Sequence, residues 1–174
     1  IIASGFNPID YQMRKNTPER KRVHSPILGR EFSGIVVAIG KDVKHFKPGD
    51  AIFCSSGSMG SNGTYAEYIT VPESIVVLKP TFLSFHQAAG LPSVGLTAWQ
   101  CLNRMKLEPT DTILITGGAG GVGAIFIKML LARGITNFVA TAGNEVSINS
   151  LKEIGVKEDQ IVNYRSADFE KAAL

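Results

Sequence analysis

One short stretch of the sequence carries glycines in a spacing that suits phosphate binding. Five of the seven residues from 117 to 123 are glycine, and apolar runs stand on both sides of them. Gly118, Gly120 and Gly123 match the pattern G-x-G-x-x-G. In that pattern the first glycine permits a tight turn, the second lets the backbone approach a pyrophosphate, and the third lets a helix pack closely on a strand. The stretch predicts a dinucleotide-binding turn if a strand precedes it and a helix follows.

The main chain after this turn would supply the phosphate ligands. The first amides of a helix have no acceptor within the helix, and the peptide dipoles add partial positive charge there. We therefore predict that the amides around Gly120, Gly121, Val122 and Gly123 bind the diphosphate. A glycine triplet on its own is often an ordinary loop, so the flanking elements decide between the two interpretations.

The flanking sequence alternates between strand and helix patterns, as a doubly wound parallel sheet requires. Strands are predicted at 112–116, 137–142 and 160–164, with one helix at 122–133 and a second that ends near Ile154. Gly134 and Gly155 are expected to end these helices. The predicted core stripe of the first helix consists of Val122, Ile125, Phe126, Met129 and Leu130.

The organisation of the chain changes near residue 80. Before it, apolar runs at 34–40, 50–55, 64–71 and 74–79 are spaced like the strands of a small barrel. After it, Ser84 and Gln87 match a capping box, Pro92 and Gly95 are predicted to break that segment, and a helix is predicted at 96–105. We therefore predict two domains, residues 1–80 and residues 81–174.

The end of the second predicted strand bears on which dinucleotide binds. An acidic residue at this point would bind the adenosine ribose of NAD. Ala142, Gly143 and Asn144 stand there instead, and Glu145 follows one step later. A carboxylate would repel a 2′-phosphate, so its absence leaves room for NADP.

Composition narrows the remaining classes. The formal charge is +3 and the pI about 8.9, and the basic run at 14–24 is read as a solvated loop because no nucleic-acid-binding signature accompanies it. No apolar run is long enough for a membrane helix. Cys54 and Cys101 stand far apart, which fits a reducing compartment and predicts a cytoplasmic protein. The chain opens like the middle of a strand and closes like the start of a helix, so we expect residues to be missing at both ends.

Six motifs in order resemble one known family. They are 7–10 (NPID), 26–53 (PILGREFSGIVVAIGKDVKHFKPGDAIF), 63–72 (GTYAEYITVP), 88–99 (AAGLPSVGLTAW), 117–123 (GGAGGVG) and 161–164 (IVNY). The chain resembles the zinc-free quinone oxidoreductase, or zeta-crystallin-like, branch of the medium-chain dehydrogenase/reductase superfamily. The resemblance implies a GroES-like β-barrel catalytic domain without its first strands, followed by the first half of a Rossmann dinucleotide-binding domain.

The resemblance also implies that no metal takes part. Zinc-dependent relatives have a cysteine where this chain has Asn7, and a His-Glu pair where it has Arg30 and Glu31. An amide and a guanidinium cannot replace a thiolate and an imidazole as zinc ligands. By the same resemblance Asn7 is expected near the nicotinamide, where its amide would donate to the substrate carbonyl, while Asp10 either takes part in catalysis or braces the loop. Tyr11 or a water is expected to deliver the proton.

Three further residues gain a role from the resemblance. Thr97 matches a position against the nicotinamide side of the cofactor, although a hydroxyl that bonds locally is an equal alternative. Tyr164 matches a tyrosine that contacts the 2′-phosphate in NADPH-using relatives. Those relatives often carry a lysine in the loop after the second strand, where this chain has Ser147. NADPH is the predicted cofactor.

The resulting expectation is an NADPH-dependent, metal-free oxidoreductase that reduces a small quinone or α,β-unsaturated carbonyl compound. An enoyl thioester reductase of the same superfamily and a non-catalytic nucleotide-binding relative remain alternatives, because the fold alone cannot separate them. The complete protein is expected to form a homodimer and to bind neither nucleic acid nor membrane.

Overall fold

The computed structural model describes residues 1–15, 18, 25–56, 62–108 and 110–165. The chain forms two compact units, Ile1–Ser93 and Val94–Leu174. Of the predicted basic run at 14–24, residues 16–17 and 19–24 lie outside the described residues, as do residues 57–61 of the glycine-serine loop. Within the described ranges, none of the helices combines the length and the apolar character that crossing a membrane requires.

The first unit is built on an antiparallel sheet. Its strands are β1 (Ala3–Ser4), β2 (Glu31–Ile35), β3 (Ala51–Ser55) and β4 (Val76–Leu78), in the spatial order β1-β2-β3-β4. Phe32 of β2 lies opposite Cys54 of β3, and both are buried in the core together with Ile52. Two short helices complete the unit, α1 (Pro8–Arg14) and α2 (Phe85–Ala89).

The strand predictions for this unit are only partly confirmed. β3 lies within the predicted run at 50–55. The strand predicted at 34–40 is displaced, because β2 spans Glu31–Ile35 instead. The turn that leads into β3 contains Gly49 at a φ of 95°. The predicted strand at 64–71 is wrong, because this segment is a loop. Ile69 and Val71 pack against the core from that loop, so their alternating pattern reports one-sided burial rather than pairing in a sheet.

The helix signals gave one correct and one wrong boundary. Ser84 caps α2 as predicted, since its hydroxyl accepts from the Gln87 amide and the Gln87 side chain accepts from the Ser84 amide. The predicted break before the next helix is confirmed, since α2 ends at Ala89, but its extent is wrong, because α3 already begins at Pro92 and runs through Gly95 to Met105. Proline is well suited to the first position of a helix, where its missing N–H has no partner to lose.

The second unit contains the predicted parallel sheet. Its elements are α3 from Val94 onward, β5 (Ile113–Ile115), α4 (Gly121–Ala132), β6 (Phe138–Ala142), α5 (Glu145–Glu153) and β7 (Ile161–Asn163). The strands lie in the order β5-β6-β7, all parallel, and α4 and α5 are the crossovers between them. Gly134 and Gly155 follow the two helices at positive φ, as expected of glycines that end a helix.

The core of this unit confirms most of the predicted stripe on α4. Phe126 and Leu130 are buried, and Ile125 and Met129 pack against the same cluster. Val122 is the exception, because 38% of its surface is exposed. It lies in the first turn of α4, where the helix rises out of the core beside the glycine turn.

Candidate functional site

The glycine turn joins β5 to α4 and is anchored to the neighbouring strand. The Gly117 amide donates to the Thr141 hydroxyl oxygen at 3.1 Å, and the Gly118 amide donates to the Thr141 carbonyl oxygen at 3.2 Å. Gly117 has a φ of 69°, a conformation that favours glycine. The tight-turn role therefore belongs to Gly117, and its assignment to Gly118 was wrong. Thr141 was not predicted at all, because only the parallel pairing of β5 and β6 brings it to the turn.

The other glycines of the motif differ in what surrounds them. A Cβ at Gly118 would lie 2.9 Å from that of Ala140, and one at Gly123 would collide with the Gly117 carbonyl oxygen. These two glycines let strand and helix approach each other closely. Gly120 is different, since a Cβ there would meet only the Gly117 carbonyl oxygen, at 3.2 Å, and would otherwise enter open space.

The first turn of α4 presents main-chain amides. Gly120 is the N-cap, and no side chain of the described residues caps the helix. The first helical hydrogen bond at this end is donated by the Ala124 amide to the Gly120 carbonyl oxygen at 2.8 Å. The amides of Gly121, Val122 and Gly123 come before that bond, at positions that have no acceptor within a helix. They are the amides that the sequence predicted as diphosphate ligands.

A cavity of about 360 Å³ opens beside this turn. Gly117, Gly120, Val122 and Gly123 line it on one side, and the other lining residues are Cys101, Met105, Ile113, Leu114, Ile115, Thr116 and Phe126. None of these residues carries a charge that would oppose an anion. Gly120 brings no side chain to this lining, and a Cβ there would meet only the Gly117 carbonyl oxygen. The turn therefore fits the diphosphate of a dinucleotide.

The end of β6 brings together five of the predicted residues. Ala142 and Gly143 are buried, and the Tyr164 amide donates to the Ala142 carbonyl oxygen at 3.1 Å. A side chain at Gly143 would collide with the Tyr164 hydroxyl, so glycine lets the tyrosine lie over the strand end. Asn144 caps α5 by accepting from the Ser147 amide at 2.9 Å. Ser147 thus lies in the first turn of α5, and its placement in a loop was wrong.

The charges near this strand end follow from the chain order. Glu145 is the first residue of α5 and is exposed, and no carboxylate stands at Ala142, Gly143 or Asn144. Arg165, which the sequence analysis did not single out, follows Tyr164 directly and is exposed. Its position next to a tyrosine at the strand end was the available signal.

Thr97 lies in the middle of α3 and is exposed. Its expected position at a helix start is wrong, because the helix begins at Pro92. Val94, one turn earlier on the same helix face, lies against the start of α4: a Cβ at Gly121 would be 3.0 Å from its Cγ1. The face of α3 that carries Thr97 therefore adjoins the glycine turn.

In the first unit, Asn7 and Asp10 hold the start of α1. Asn7 is the N-cap, and its amide donates to Asp10 Oδ2 at 2.8 Å. The Tyr65 hydroxyl donates to the same oxygen at 3.0 Å. Asp10 is only 1% exposed, and within the described residues its Oδ1 has no hydrogen-bond partner. These contacts are those of a residue that braces the loop.

The state of Tyr65 follows from its surroundings. Burial, and then the hydrogen bond and charge of Asp10, raise the pKa of Tyr65 well above its ordinary value. The phenol therefore keeps its proton at neutral pH and acts as a donor to Asp10. Sequence analysis did not find Tyr65, because it lies in a segment whose pattern indicated a strand.

Glu31 joins this cluster from β2. It is 1% exposed; its Oε1 accepts from Asn7 Nδ2 at 2.6 Å and its Oε2 accepts from the Ser93 amide at 2.7 Å. Sequence analysis treated Glu31 only as part of the position where zinc-dependent relatives have a His-Glu pair. Among the described residues, no three His, Cys, Asp or Glu side chains come together as a metal site.

Known proteins resemble this chain along almost its whole length. Residues 1–81 match the alcohol dehydrogenase GroES-like domain family. The chain is 33% identical over 178 residues to the 2-methylene-furan-3-one reductase of Solanum lycopersicum, covering 98% of this chain and 45% of that protein. The chain thus spans about half the length of this curated relative.

Solved structures show the same likeness. The quinone oxidoreductase of Coxiella burnetii superposes with a TM-score of 0.83 at 35% identity, over 97% of this chain and 53% of that one. The Escherichia coli quinone oxidoreductase complexed with NADPH superposes with a TM-score of 0.78 at 30% identity, over 95% and 49% of the two chains. With its GroES-like domain and parallel Rossmann sheet, this chain has the fold of the medium-chain dehydrogenase/reductase superfamily and is similar to quinone oxidoreductases.

Proposed function

We propose that the complete protein is an NADPH-dependent, metal-free oxidoreductase that reduces a quinone or an α,β-unsaturated carbonyl compound. One observation carries the proposal: among the described residues, the amides of Gly121, Val122 and Gly123 precede the first helical hydrogen bond of α4, beside a cavity that Gly120 also lines. The names of the relatives point to the same chemistry, since 2-methylene-furan-3-one is itself an enone.

The second unit holds the cofactor in this proposal. The amides of Gly121, Val122 and Gly123 bind the diphosphate, and the partial positive charge of the α4 N-terminus supports them. Bound NADPH supplies the hydride that the acceptor takes up together with one proton. Thr97 contributes from α3, whose preceding turn lies against the start of α4.

Preference for NADPH rests on the end of β6. Ala142, Gly143 and Asn144 place no carboxylate there, and the Tyr164 hydroxyl lies against Gly143, where it is available to a phosphate oxygen. Ser147 adds a hydroxyl from the first turn of α5 but no charge. Titration with NADPH and NADH tests this preference, and equal affinities, or tighter binding of NADH, would contradict it.

Asn7 acts on the acceptor in the first unit. An asparagine amide has two N–H donors, of which one is used by Glu31. The second donates to the carbonyl oxygen of the acceptor as negative charge develops there. Asp10 braces the loop through Oδ2, and the proton comes from water or from Tyr11, which is 40% exposed.

The proposal that no metal takes part rests on the donor set. Asn7 and Arg30 offer an amide and a guanidinium where zinc needs a thiolate and an imidazole. The amide of Asn7 is moreover bonded to Glu31, which makes the pair a hydrogen-bonded unit in itself. Activity that withstands chelators supports this part, and activity that they abolish and added zinc restores would refute it.

Gly120→Val tests the nucleotide site. Gly120 has an extended conformation with a φ of −75°, so valine is tolerated by the backbone while its side chain enters the cavity. We expect NADPH affinity, measured by fluorescence titration, to fall by more than about 100-fold, or roughly 3 kcal/mol. Gly40→Val is the matched control, because a Cβ at Gly40 meets nothing within 4 Å. Unchanged affinity in Gly120→Val would refute the site.

Turnover tests the reaction. NADPH oxidation by the complete protein is followed with a small quinone, an enone and an enoyl thioester. Asn7→Ala should lower kcat by about 100-fold, the size of an oxyanion-hole donor, with little change in NADPH affinity. Preference for the thioester would favour an enoyl thioester reductase, and cofactor binding without any turnover would favour a non-catalytic relative. Intact turnover in Asn7→Ala would refute the donor role.

We further propose that the complete protein forms a homodimer in the cytoplasm. Both cysteines are free, Cys54 buried and Cys101 exposed, which suits a reducing compartment. Sedimentation of the complete protein tests the dimer, and a fluorescent fusion tests the location.

A further inference from the structure

We infer that Glu31 is a positioning residue that fixes the side-chain amide of Asn7 with its nitrogen turned inward, leaving the second N–H for the acceptor. The inference rests on the proposed function, because it assigns Glu31 a part in the reaction through Asn7.

The hydrogen bonds around Glu31 leave the carboxylate little freedom. Oε1 accepts from Asn7 Nδ2 at 2.6 Å and Oε2 accepts from the Ser93 amide at 2.7 Å. The main chain of Glu31 is held as well, since its carbonyl oxygen accepts from the Ser4 hydroxyl and from the Gly5 amide. Each carboxylate oxygen therefore has a specified donor, and the side chain is 1% exposed.

The donors on both sides explain why the residue is a glutamate. A carboxylate is acceptor-only, whereas a glutamine would turn one N–H donor towards either Asn7 Nδ2 or the Ser93 amide. A carboxylate also decides which way the Asn7 amide points, because the Asn7 oxygen would be repelled in the place of its nitrogen. The orientation of Asn7 is thus imposed by Glu31 rather than by the fold of the loop alone.

Gly5 makes room for this arrangement. A Cβ at Gly5 would overlap the carboxylate of Glu31, with its Cγ at 2.6 Å and its Cδ at 2.7 Å. The Gly5 to Asn7 segment can therefore run directly over the Glu31 side chain. Gly5→Ala would displace the carboxylate without removing it, which provides a second and chemically different way to disturb Asn7.

The contact itself is tested by NMR on the ¹⁵N-labelled chain. The Asn7 side-chain amide signal, assigned by its loss in Asn7→Ala, should show one hydrogen that exchanges at least about tenfold more slowly than the other and than those of exposed Asn103. Glu31→Gln should remove this protection. Glu73→Gln is the matched control, because Glu73 accepts from the amides of Lys44 and His45 elsewhere on the unit. A freely exchanging Asn7 amide in the wild type overturns the inference.

The positioning role is tested by a double-mutant cycle in the complete protein. Glu31→Gln should lower kcat with a small quinone by about tenfold or more, with the KM for NADPH changed less than about twofold. In the Asn7→Ala background, Glu31→Gln should lower kcat by less than about twofold, because the group that Glu31 positions is already gone. Ser33→Ala, which removes a buried donor to the Phe85 carbonyl in the same sheet, is the structural control and should act independently of Asn7.

The outcomes separate this inference from the proposed function. If the kcat losses of Glu31→Gln and Asn7→Ala multiply in the double mutant, or if Glu31→Gln leaves turnover intact, the positioning role is refuted while the reductase assignment stands. Absence of turnover with quinone and enone overturns the proposed function and the positioning role with it, even if the amide is protected. If Glu31→Gln does not fold, Gly5→Ala replaces it in both experiments, with the same expected loss of protection and of kcat.

Discussion

The two candidate regions present their ligand-binding groups in opposite ways. At the glycine turn of the second unit, the groups are main-chain amides, and they are accessible because Gly120 and its neighbours lack side chains. In the first unit the group is the side chain of Asn7, whose Nδ2 donates to the buried carboxylate of Glu31, while the Asn7 main-chain amide donates to the buried carboxylate of Asp10. The first arrangement depends on the absence of side chains, and the second on hydrogen bonds to buried carboxylate oxygens.

This difference determines how each region should fail. Added atoms damage the glycine turn by steric overlap, which no change of pH relieves. The Asn7 region instead loses stability when a donor or acceptor is removed, because a buried polar atom is left without a partner. The single tryptophan, Trp99, belongs to the second unit, and the buried Cys54 belongs to the first. Each unit therefore has its own probe, and the stability of the two units can be measured separately.

The largest effect is expected for Gly123→Ala. Its Cβ would overlap the Gly117 carbonyl oxygen and lie 2.9 Å from the Gly118 Cα, and neither backbone atom can move without disrupting the turn. We expect the free energy of unfolding of the second unit to fall by about 3 kcal/mol, measured by Trp99 fluorescence in denaturant. Gly120→Ala is the control and should cost less than about 1 kcal/mol. Equal losses in the two variants would show that open space at Gly120 is not what distinguishes the turn.

An intermediate effect is expected for Tyr65→Phe, which removes the donor to Asp10 Oδ2. The first unit should lose about 1.5 kcal/mol at neutral pH, the usual range for a hydrogen bond to a charged acceptor. Because the pKa of Tyr65 is raised in the folded state, its contribution is fully present below the unfolded pKa of about 10 and is lost as the pH rises through the folded value. The gap between wild type and variant should therefore be constant at neutral pH and narrow above about pH 10.

Labelling of Cys54 provides the readout for this variant. Burial raises the pKa of the Cys54 thiol to about 12, so in the folded unit it is both inaccessible and protonated at neutral pH. Its modification rate then reports opening of the first unit, while exposed Cys101 is modified without opening. A gap that stays constant up to high pH would contradict the Tyr65–Asp10 bond.

The smallest effect is expected for Gln160→Ala. The Gln160 side chain donates to the carbonyl oxygens of Thr136 and Phe138 at 2.6 and 3.0 Å, but at a half-exposed position where water can replace it. The second unit should lose only about 0.5 kcal/mol by Trp99 fluorescence. A loss as large as that of Tyr65→Phe would remove the contrast between the units, because polar side chains would then matter equally in both.

The sequence predicted the second unit more completely than the first. Alternating strands and helices, the helix-ending glycines and the parallel sheet follow from periodicity and local conformation, which neighbouring residues specify. Pro92 misled the analysis because its effect depends on its position in the helix, and Val122 because a helical stripe does not say where the core ends. The loop at 64–71 was misread because its apolar alternation serves one-sided packing.

The sequence by itself determined the glycine spacing and the strands and helices around it, and it placed an amide and a guanidinium at Asn7 and Arg30. Only the tertiary structure decided that the Gly117 amide bonds to Thr141, that the Tyr65 hydroxyl bonds to Asp10, and that Glu31 accepts from the Asn7 side chain across a separation of 24 residues. The physical reason is the distance along the chain over which each property is specified. Backbone conformation and periodicity are local properties, whereas the partner of a buried polar atom is selected by whichever distant segment the fold brings within about 3 Å of it.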